Sequence, residues 1–317
     1  MFSGRGLETS LARIDRPMPT TAGVGGPPRP LAPEVTPIRG IMPEGHTLHR
    51  LANDVWDAFG GRPVQASSPQ GRFVEGAALL NGHVLRQTEA HGKHFLADFE
   101  GAGWLHIHLG LIGKVDFGEA PAPEPVGQVR LRLQNATAYA DLRGATVCEV
   151  LTDGEREALI ARLGPDPLRD DADPELAWKR IHRSKLPIGQ LLMDQEVLSG
   201  VGNVYRAEVL FRAKLHPMTP GNLVKKREWQ GMWSDLLELM KYGVETGRID
   251  TVTDDHTPEA MGRDPRQDDH GGEVYVYRRQ GQRCHVCNSV IRTEILAGRN
   301  LFWCPRCQRT GLTRKKL

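Results

Sequence analysis

The chain predicts an α+β fold: an antiparallel β-sandwich flanked by helices, a helical segment bent at a glycine pair, and a small cysteine-bearing hairpin near the end. Three observations predict it. Leu48, Leu51, Val55 and Phe59 recur at helical spacing and stop at Gly60-Gly61. Residues 65–150 read as short β-rich runs parted by glycines and a proline loop. Four cysteines then fall as Cys284-x2-Cys287-x16-Cys304-x2-Cys307.

Composition sets the outer limits. At 317 residues the chain has room for about two domains. Its 39% hydrophobic and 25% charged residues are ordinary for a globular protein. No apolar run approaches the roughly 18 residues that span a bilayer, so no membrane association is expected. The net charge of +2 hides an asymmetry. Residues 271–317 carry ten Lys and Arg against two acids, whereas 250–269 carry seven acids against two arginines. A basic tail is the footprint of a polyanion binder, although a charge run is also how a solvated face reads. Five cysteines with no secretory signal point to a reducing, cytoplasmic setting. Cys148 stands apart from the other four and reads as a small buried apolar residue.

Residues 1–41 hold seven prolines and no apolar face, so they read as a disordered leader or as untranslated sequence. The first domain is expected over 42–163. Its entry is Met42-Pro43-Glu44-Gly45, directly before the first helix. If Met42 is the start and is removed, Pro43 presents a free secondary amine that can attack a sugar carbon, with a carboxylic acid beside it. A proline entering a helix is more often just a good first-turn residue. The helix dipole at this end favours a carboxylate and lowers the proton affinity of an amine. Strands are expected at 94–99, 104–109, 114–117 and 129–133. Lys93, flanked by His91 and His94, sits at a turn edge and reads equally as a solvated strand start. His106 and His108 alternate, so they share a strand face, and two sheet-packed histidines are favoured over a metal pair. A helix is expected over 153–163, capped by Asp153.

Residues 164–250 begin with an acidic, proline-containing linker at 165–174 and then turn helical. Ile188, Leu191, Leu192, Val197 and Leu198 trace an apolar face that breaks at Gly200-Val201-Gly202-Asn203 and resumes as Val204-Tyr205-Arg206. The two glycines allow a tight bend with left-handed backbone. Asn203 is placed to cap the next helix, whose N-terminus is an anion site. An ordinary structural helix-turn-helix reads the same way. Residues 251–272 form a polar, acidic, mobile insert. Residues 273–317 carry the cysteine ribbon and basic tail. Its spacing matches a four-thiolate zinc site, which leaves no open coordination position, so one structural Zn²⁺ is expected. Two disulfides fit poorly, because Cys-x2-Cys loops in a reducing compartment seldom close on themselves. Gly298-Arg299-Asn300 reads as a hairpin turn with Arg299 at its tip, suited to bidentate phosphate contact. A zinc ion on four thiolates is itself negative, which accounts for part of the basic tail.

Together these stretches resemble the formamidopyrimidine-DNA glycosylase / endonuclease VIII family. The resemblance rests on Pro43-Glu44-Gly45, Gly92-Lys93-His94, His108-Leu109-Gly110-Leu111-Ile112-Gly113, the run from Leu192 through Gly200-Val201-Gly202-Asn203 to Arg206, and Arg299 followed by Cys304-Pro305-Arg306-Cys307-Gln308. It implies a helix-two-turn-helix domain between the sandwich and the zinc finger. It implies a DNA glycosylase with lyase activity in base excision repair, acting on damaged DNA as a nucleoid-associated monomer. By resemblance Pro43 is the nucleophile and Glu44 the general acid. Lys93, Arg299 and Asn203 contact phosphates, Lys185 is a weaker phosphate candidate, and Leu111 fills the gap left by an extruded nucleotide. The stretch 140–145 lacks the Arg-Phe pair of the 8-oxoguanine-directed branch, and Gly45-His46 looks like the endonuclease VIII side, so oxidised pyrimidines are the expected substrates. An 8-oxoguanine enzyme, and a non-catalytic damaged-DNA binder with Pro43 blocked by the leader, are the alternatives.

Overall fold

The computed structural model describes residues 43–267 and 272–309. The expectations for the leader and for the end of the basic tail lie outside the described residues. The first helix, α1 (Gly45–Phe59), buries Leu48, Leu51, Ala52, Val55 and Phe59 along one stripe, as the spacing requires. Each large apolar side chain taken out of water there contributes about 1.5–3 kcal/mol.

Two four-stranded antiparallel sheets follow. The strands are β1 (Gln65–Ser67), β2 (Leu85–His91), β3 (His94–Phe99), β4 (Gly103–His108), β5 (Lys114–Glu119), β6 (Val129–Gln134), β7 (Ala138–Arg143) and β8 (Val147–Leu151). One sheet runs β1-β6-β7-β5 and the other β2-β3-β4-β8, as expected of a sandwich. Leu85, Phe95, Phe99 and Leu105 from one sheet and Leu131, Leu133 and Leu142 from the other share a core with α1. A short helix, α2 (Val74–Leu80), lies inside the stretch expected to be all strand; it buries only Ala77 and Leu80, too few positions to show a helical period.

The helix α3 (Asp153–Ala161) starts one residue earlier than expected in its capping. Thr152, not Asp153, is the N-cap: its hydroxyl accepts from Glu155 N while the Glu155 carboxylate accepts from Thr152 N at 2.8 Å. The Asp153 carboxylate instead accepts from the Trp104 indole at 2.8 Å.

The second core gathers α4 (Pro174–Arg183), α5 (Ile188–Leu191), α6 (Asn203–Arg212) and α7 (Lys226–Thr246) with the zinc-ribbon residues. In α6 nine residues in a row, Asn203 to Phe211, are buried, including Arg206 and Glu208. In the acidic insert, expected to be mobile, the described residues 251–267 form defined structure. It contains α8 (Pro258–Met261), capped by Thr257, and Glu273 ties Arg263 at 2.7 Å and Arg266 N at 2.6 Å. The ribbon hairpin pairs β9 (Arg292–Leu296) with β10 (Arg299–Trp303). Its turn is Ala297-Gly298, both at positive φ, so Arg299 begins β10 opposite Leu296 instead of occupying the tip.

Candidate active site and zinc centre

The site is built where the start of α1 meets the start of α6. Gly45 N donates to Gly200 O at 2.7 Å, and a Cβ on Gly45 would lie 2.8 Å from Gly200 Cα. Only Gly200 of the expected left-handed pair has positive φ, at +88°. Gly202 is extended and is glycine for a different reason: a Cβ there would meet Glu44 Cδ at 2.4 Å. The missing side chains let Glu44 reach the N-terminus of α6. Its Oε2 accepts from Gly202 N at 2.9 Å and Tyr205 N at 3.3 Å, and Oε1 accepts from Val204 N at 2.7 Å. The anion site expected at this helix end is therefore filled by the chain's own carboxylate.

That arrangement corrects the expectation for Asn203. The N-cap is Gly202, and the Asn203 side chain accepts from the Arg206 guanidinium instead of capping its helix. Arg206, given no role of its own in the sequence because it sits in an apolar run, also donates to Asn300 O at 2.8 Å and Gly189 O at 3.3 Å. It thereby fastens α6 to the strand that begins with Arg299. Burial pulls its pKa down to about 10.

Glu44 is 1% exposed. Burial raises its pKa above the ordinary carboxylate value, outweighing the Lys93 charge and the three backbone donors, which pull the other way. Lys93 answers in kind: burial lowers its pKa, Glu44 draws it up, and the Arg299 charge lowers it further. Lys93 is thus a half-buried residue of the Glu44 cluster and not a solvated strand start. Its turn is fixed from below. Gly92 has φ +59° and packs on Ser199, and Gly92 N donates to Asp166 Oδ2 at 2.7 Å. Asp166, inside the supposed linker, is 1% exposed and also accepts from His49 Nε2 at 2.7 Å and Leu168 N at 2.9 Å. Nothing in the local text marks it, because Gly92 and His49, the partners that tie it to the site, lie 74 and 117 residues away.

Pro43, directly before Glu44, is buried at the head of α1. Leu111 lies on the loop after β4, where Gly110 has φ +71°; it is 55% exposed and Ile112 78%. Lys185 is exposed between α4 and α5, and among the described residues no hydrogen bond or ion pair joins it to the Glu44 cluster. His106 and His108 do share a face of β4. His94 Nδ1 lies 2.9 Å from His106 Nε2, and His106 Nδ1 lies 2.9 Å from Glu149. Burial, then the neighbouring histidines, lower His94 to about 3, and burial also lowers His106 and His108.

The four cysteine Sγ atoms all lie within 4.8 Å of one another, with Cys284 3.9 Å from Cys307 and Cys287 3.4 Å from Cys304. A tetrahedral zinc with Zn–S near 2.3 Å needs S···S distances of about 3.8 Å, so the donor set fits one structural ion. Gln308 locks the second knuckle to the helical core: its Oε1 accepts from Cys304 N at 2.9 Å and its Nε2 donates to Leu215 O at 3.1 Å. Cys148 is buried away from this set, with its thiol pushed up to about 12.

Comparisons with known proteins agree with this geometry. The formamidopyrimidine-DNA glycosylase N-terminal domain profile matches residues 42–148, the H2TH domain of that family 163–255, and the zinc finger found in FPG and IleRS 281–310. Endonuclease 8 1 of Mycobacterium tuberculosis is 51% identical over 274 residues, covering 84% of this chain and 100% of the relative. The formamidopyrimidine-DNA glycosylase of Prochlorococcus marinus is 33% identical over 235 residues, covering 72% and 77%. Among solved structures, a Lactococcus lactis formamidopyrimidine-DNA glycosylase bound to DNA with an AP site superposes with a TM-score of 0.68, at 21% identity, over 84% of this chain and 100% of that one. At that identity the superposition speaks for the fold. Fold, zinc centre and relatives together define a DNA glycosylase of base excision repair. The chain belongs to the formamidopyrimidine-DNA glycosylase / endonuclease VIII family of glycosylase/AP lyases. Among the described residues no helix is long and apolar enough to cross a membrane.

Proposed function

We propose that this chain excises oxidised pyrimidines from damaged DNA, with Pro43 as nucleophile and Glu44 as general acid, and then cleaves the strand. The observation that carries the reading is Glu44: a buried carboxyl with a raised pKa, adjacent in sequence to Pro43 and electrostatically coupled to Lys93. A base must leave the stack to be reached. Glu44 in its acid form gives its proton to the deoxyribose ring oxygen, and the ring opens. The neutral Pro43 nitrogen forms a bond to C1′ and gives up its one proton, which the departing base takes up as the C1′–base bond breaks with its electron pair leaving on the base. The product is a cationic iminium, because a secondary amine has no second proton to lose. That cation acidifies C2′–H, and loss of this proton to water expels the 3′ phosphate; the resulting conjugated iminium acidifies C4′–H, and loss of that second proton expels the 5′ phosphate. An α-amino group has an ordinary pKa of about 7.7–8.0 against about 10.4 for lysine, so more of it is free base near neutrality.

Lys93 and Arg299 hold phosphates flanking the lesion, Asn203 supports the same strand, and Leu111 fills the vacated stack. Lys185 is at most a peripheral phosphate contact. The lesion class rests on the absence of an Arg-Phe pair in 140–145 and on 51% identity to an endonuclease 8. The chemistry requires Pro43 to be the first residue of the active form, with Met42 removed; the N-terminal profile beginning at residue 42 supports this. The enzyme acts as a cytosolic monomer on the nucleoid. Borohydride trapping on single-lesion duplexes, with protein beginning at Pro43, tests the whole reading: a covalent adduct at oxidised pyrimidines is expected. Mass spectrometry of the native chain showing residues retained ahead of Pro43, or no adduct on any lesion, overturns it. Sedimentation of the free protein tests the monomer.

A further inference from the structure

The proposed lesion grip does not use a second basic cleft, which opens between residues 263–267 and the zinc module. Its cavity measures about 630 Å³ and is lined by Arg263, Arg266, Arg278, Arg279, Asn300 and Phe302 among others. Two acids share the lining, Asp264 and Glu273, and Glu273 is consumed by Arg263 and the backbone of Arg266. The Arg279 guanidinium points inward, donating to Tyr275 O at 2.6 Å and Arg283 O at 2.8 Å. Those bonds go to carbonyls, and the Glu208 charge also acts on Arg279, so Arg279 forms the inner wall of the cleft and leaves the outer charge to its neighbour.

Arg278 is different. It is exposed, and its guanidinium carbon stands 5.5 Å from the centre of the Tyr277 ring. Its backbone has φ +52°, a region that favours glycine. A non-glycine held there costs about 1 kcal/mol or more. The residue that would relax the strain is the one that would remove the charge. Tyr277 packs edge-on against Phe302 of β10, the strand that Arg299 begins, so the cleft adjoins the proposed phosphate grip through Asn300. Along β10, Asn300 and Phe302 alternate with Arg299, which puts the cleft lining and Arg299 on opposite faces of the hairpin.

We propose that this cleft is a second phosphodiester site, with Arg278 as its outer cation, engaging nucleic-acid backbone beyond the lesion. A guanidinium seated on an aromatic face is pre-set for bidentate phosphate contact. The inference rests on the reading of the chain as a lesion-DNA enzyme and lengthens its footprint.

The test compares the salt dependence of binding for wild type, Arg278→Gly and Arg278→Lys. The probes are a short abasic-site duplex covering only the lesion, the same duplex extended in double-stranded form, and the same duplex extended by single-stranded tails. Each phosphate contact contributes about 0.9 to the log–log salt slope on duplex and about 0.7 on single strands. Arg278→Gly is expected to lower the slope by about that amount on an extended probe and to leave it unchanged on the short one. Arg278→Lys keeps the wild-type slope. Because glycine relieves the left-handed backbone, Arg278→Gly melts at or above the wild-type temperature, so lost binding is not lost folding. Whichever extended probe shows the loss identifies the source of the backbone. Equal slopes for Arg278→Gly and wild type on all three probes overturn the site, as does an equal loss on the short probe, which would assign Arg278 to the lesion grip. Borohydride trapping of wild type on the short duplex reports the excision chemistry separately, so failure of the cleft leaves that reading standing.

Discussion

Helix α6 holds two buried carboxylates that look alike by burial and differ in what surrounds their oxygens. Glu44, lent by the start of α1, is 1% exposed; Glu208, from the helix itself, is 0% exposed. Both accept three backbone N–H groups. Glu208 Oε1 takes Val276 N at 2.9 Å and Tyr277 N at 2.8 Å, and Oε2 takes Tyr275 N and the Thr251 hydroxyl, both at 2.7 Å. Every lone pair of Glu208 is spoken for. Among the described residues Glu44 Oε1 takes one donor, Val204 N, so its second lone pair can carry a proton. The same helix thus has a carboxylate that clamps residues 275–277 and one arranged to exchange a proton. Burial alone would not tell them apart; donor count does.

The largest expected effect breaks the first of these. Glu44→Gln keeps the size and one acceptor but removes the transferable proton. Excision of an intact damaged base should fall by about 10²–10⁴, the usual share of a general acid, with DNA affinity retained. Single-turnover excision beside equilibrium binding measures both. If Glu44→Gln excises at the wild-type rate, the distinction between the two carboxylates collapses.

Glu208→Ala should do the reverse. It leaves three buried N–H groups without an acceptor, and breaking such a charged cluster costs about 3–5 kcal/mol. Chemical denaturation should show that loss, while trapping by the fraction still folded should match wild type. Glu208→Gln should recover part of the stability. A catalytic defect in folded Glu208→Gln protein would mean that the two carboxylates are not separable.

These partners also mark what the sequence could reveal. The zinc ligands and α1 were legible because their signals are local: a Cys-x2-Cys repeat, and apolar residues every third or fourth position. The strands at 94–99 and 129–133 were legible from their β-rich text, and they appear as β3 and β6. Glu44 was visible as a candidate but its setting was not, because the donors lie 158 to 161 residues away. Asn203 was misjudged as a cap because a side chain preferred at helix starts met a guanidinium one turn on. The acidic insert read as mobile from its polar, acidic text, yet among its described residues Arg263 and Arg266 N are tied to Glu273 and Thr251 to Glu208, carboxylates that lie outside that text.

A third, smaller effect sharpens the comparison by pH. The proposed acid must be protonated to act, so excision should decline as pH rises through the raised pKa of Glu44. The Lys93 charge lowers that pKa, opposing burial. Removing it with Lys93→Met should move the falling limb to higher pH even as overall rate drops. A limb that stays in place or moves down would separate Glu44 from the titration.

The smallest effect concerns Asp166, a buried carboxylate of the clamping kind placed beneath the site. Burial pushes its pKa up, but the His49 hydrogen bond and charge, with the Leu168 and Gly92 backbone donors, outweigh burial and hold it below the ordinary value. A folded pKa below the unfolded one means stability that is fully present above the unfolded value, about 3.9, and lost as pH falls through the folded one. Asp166→Asn replaces one accepting oxygen with a donor facing Gly92 N or Leu168 N, so it should cost about 1–3 kcal/mol near neutrality. The gap between the two melting curves should narrow below about pH 4, where the wild-type carboxylate protonates and loses its advantage. Because Gly92 precedes Lys93, the same variant should loosen the lysine turn and lower excision modestly, without touching the proton that Glu44 supplies. A gap in stability that stays constant into acid would show that Asp166 acts by shape and not by charge.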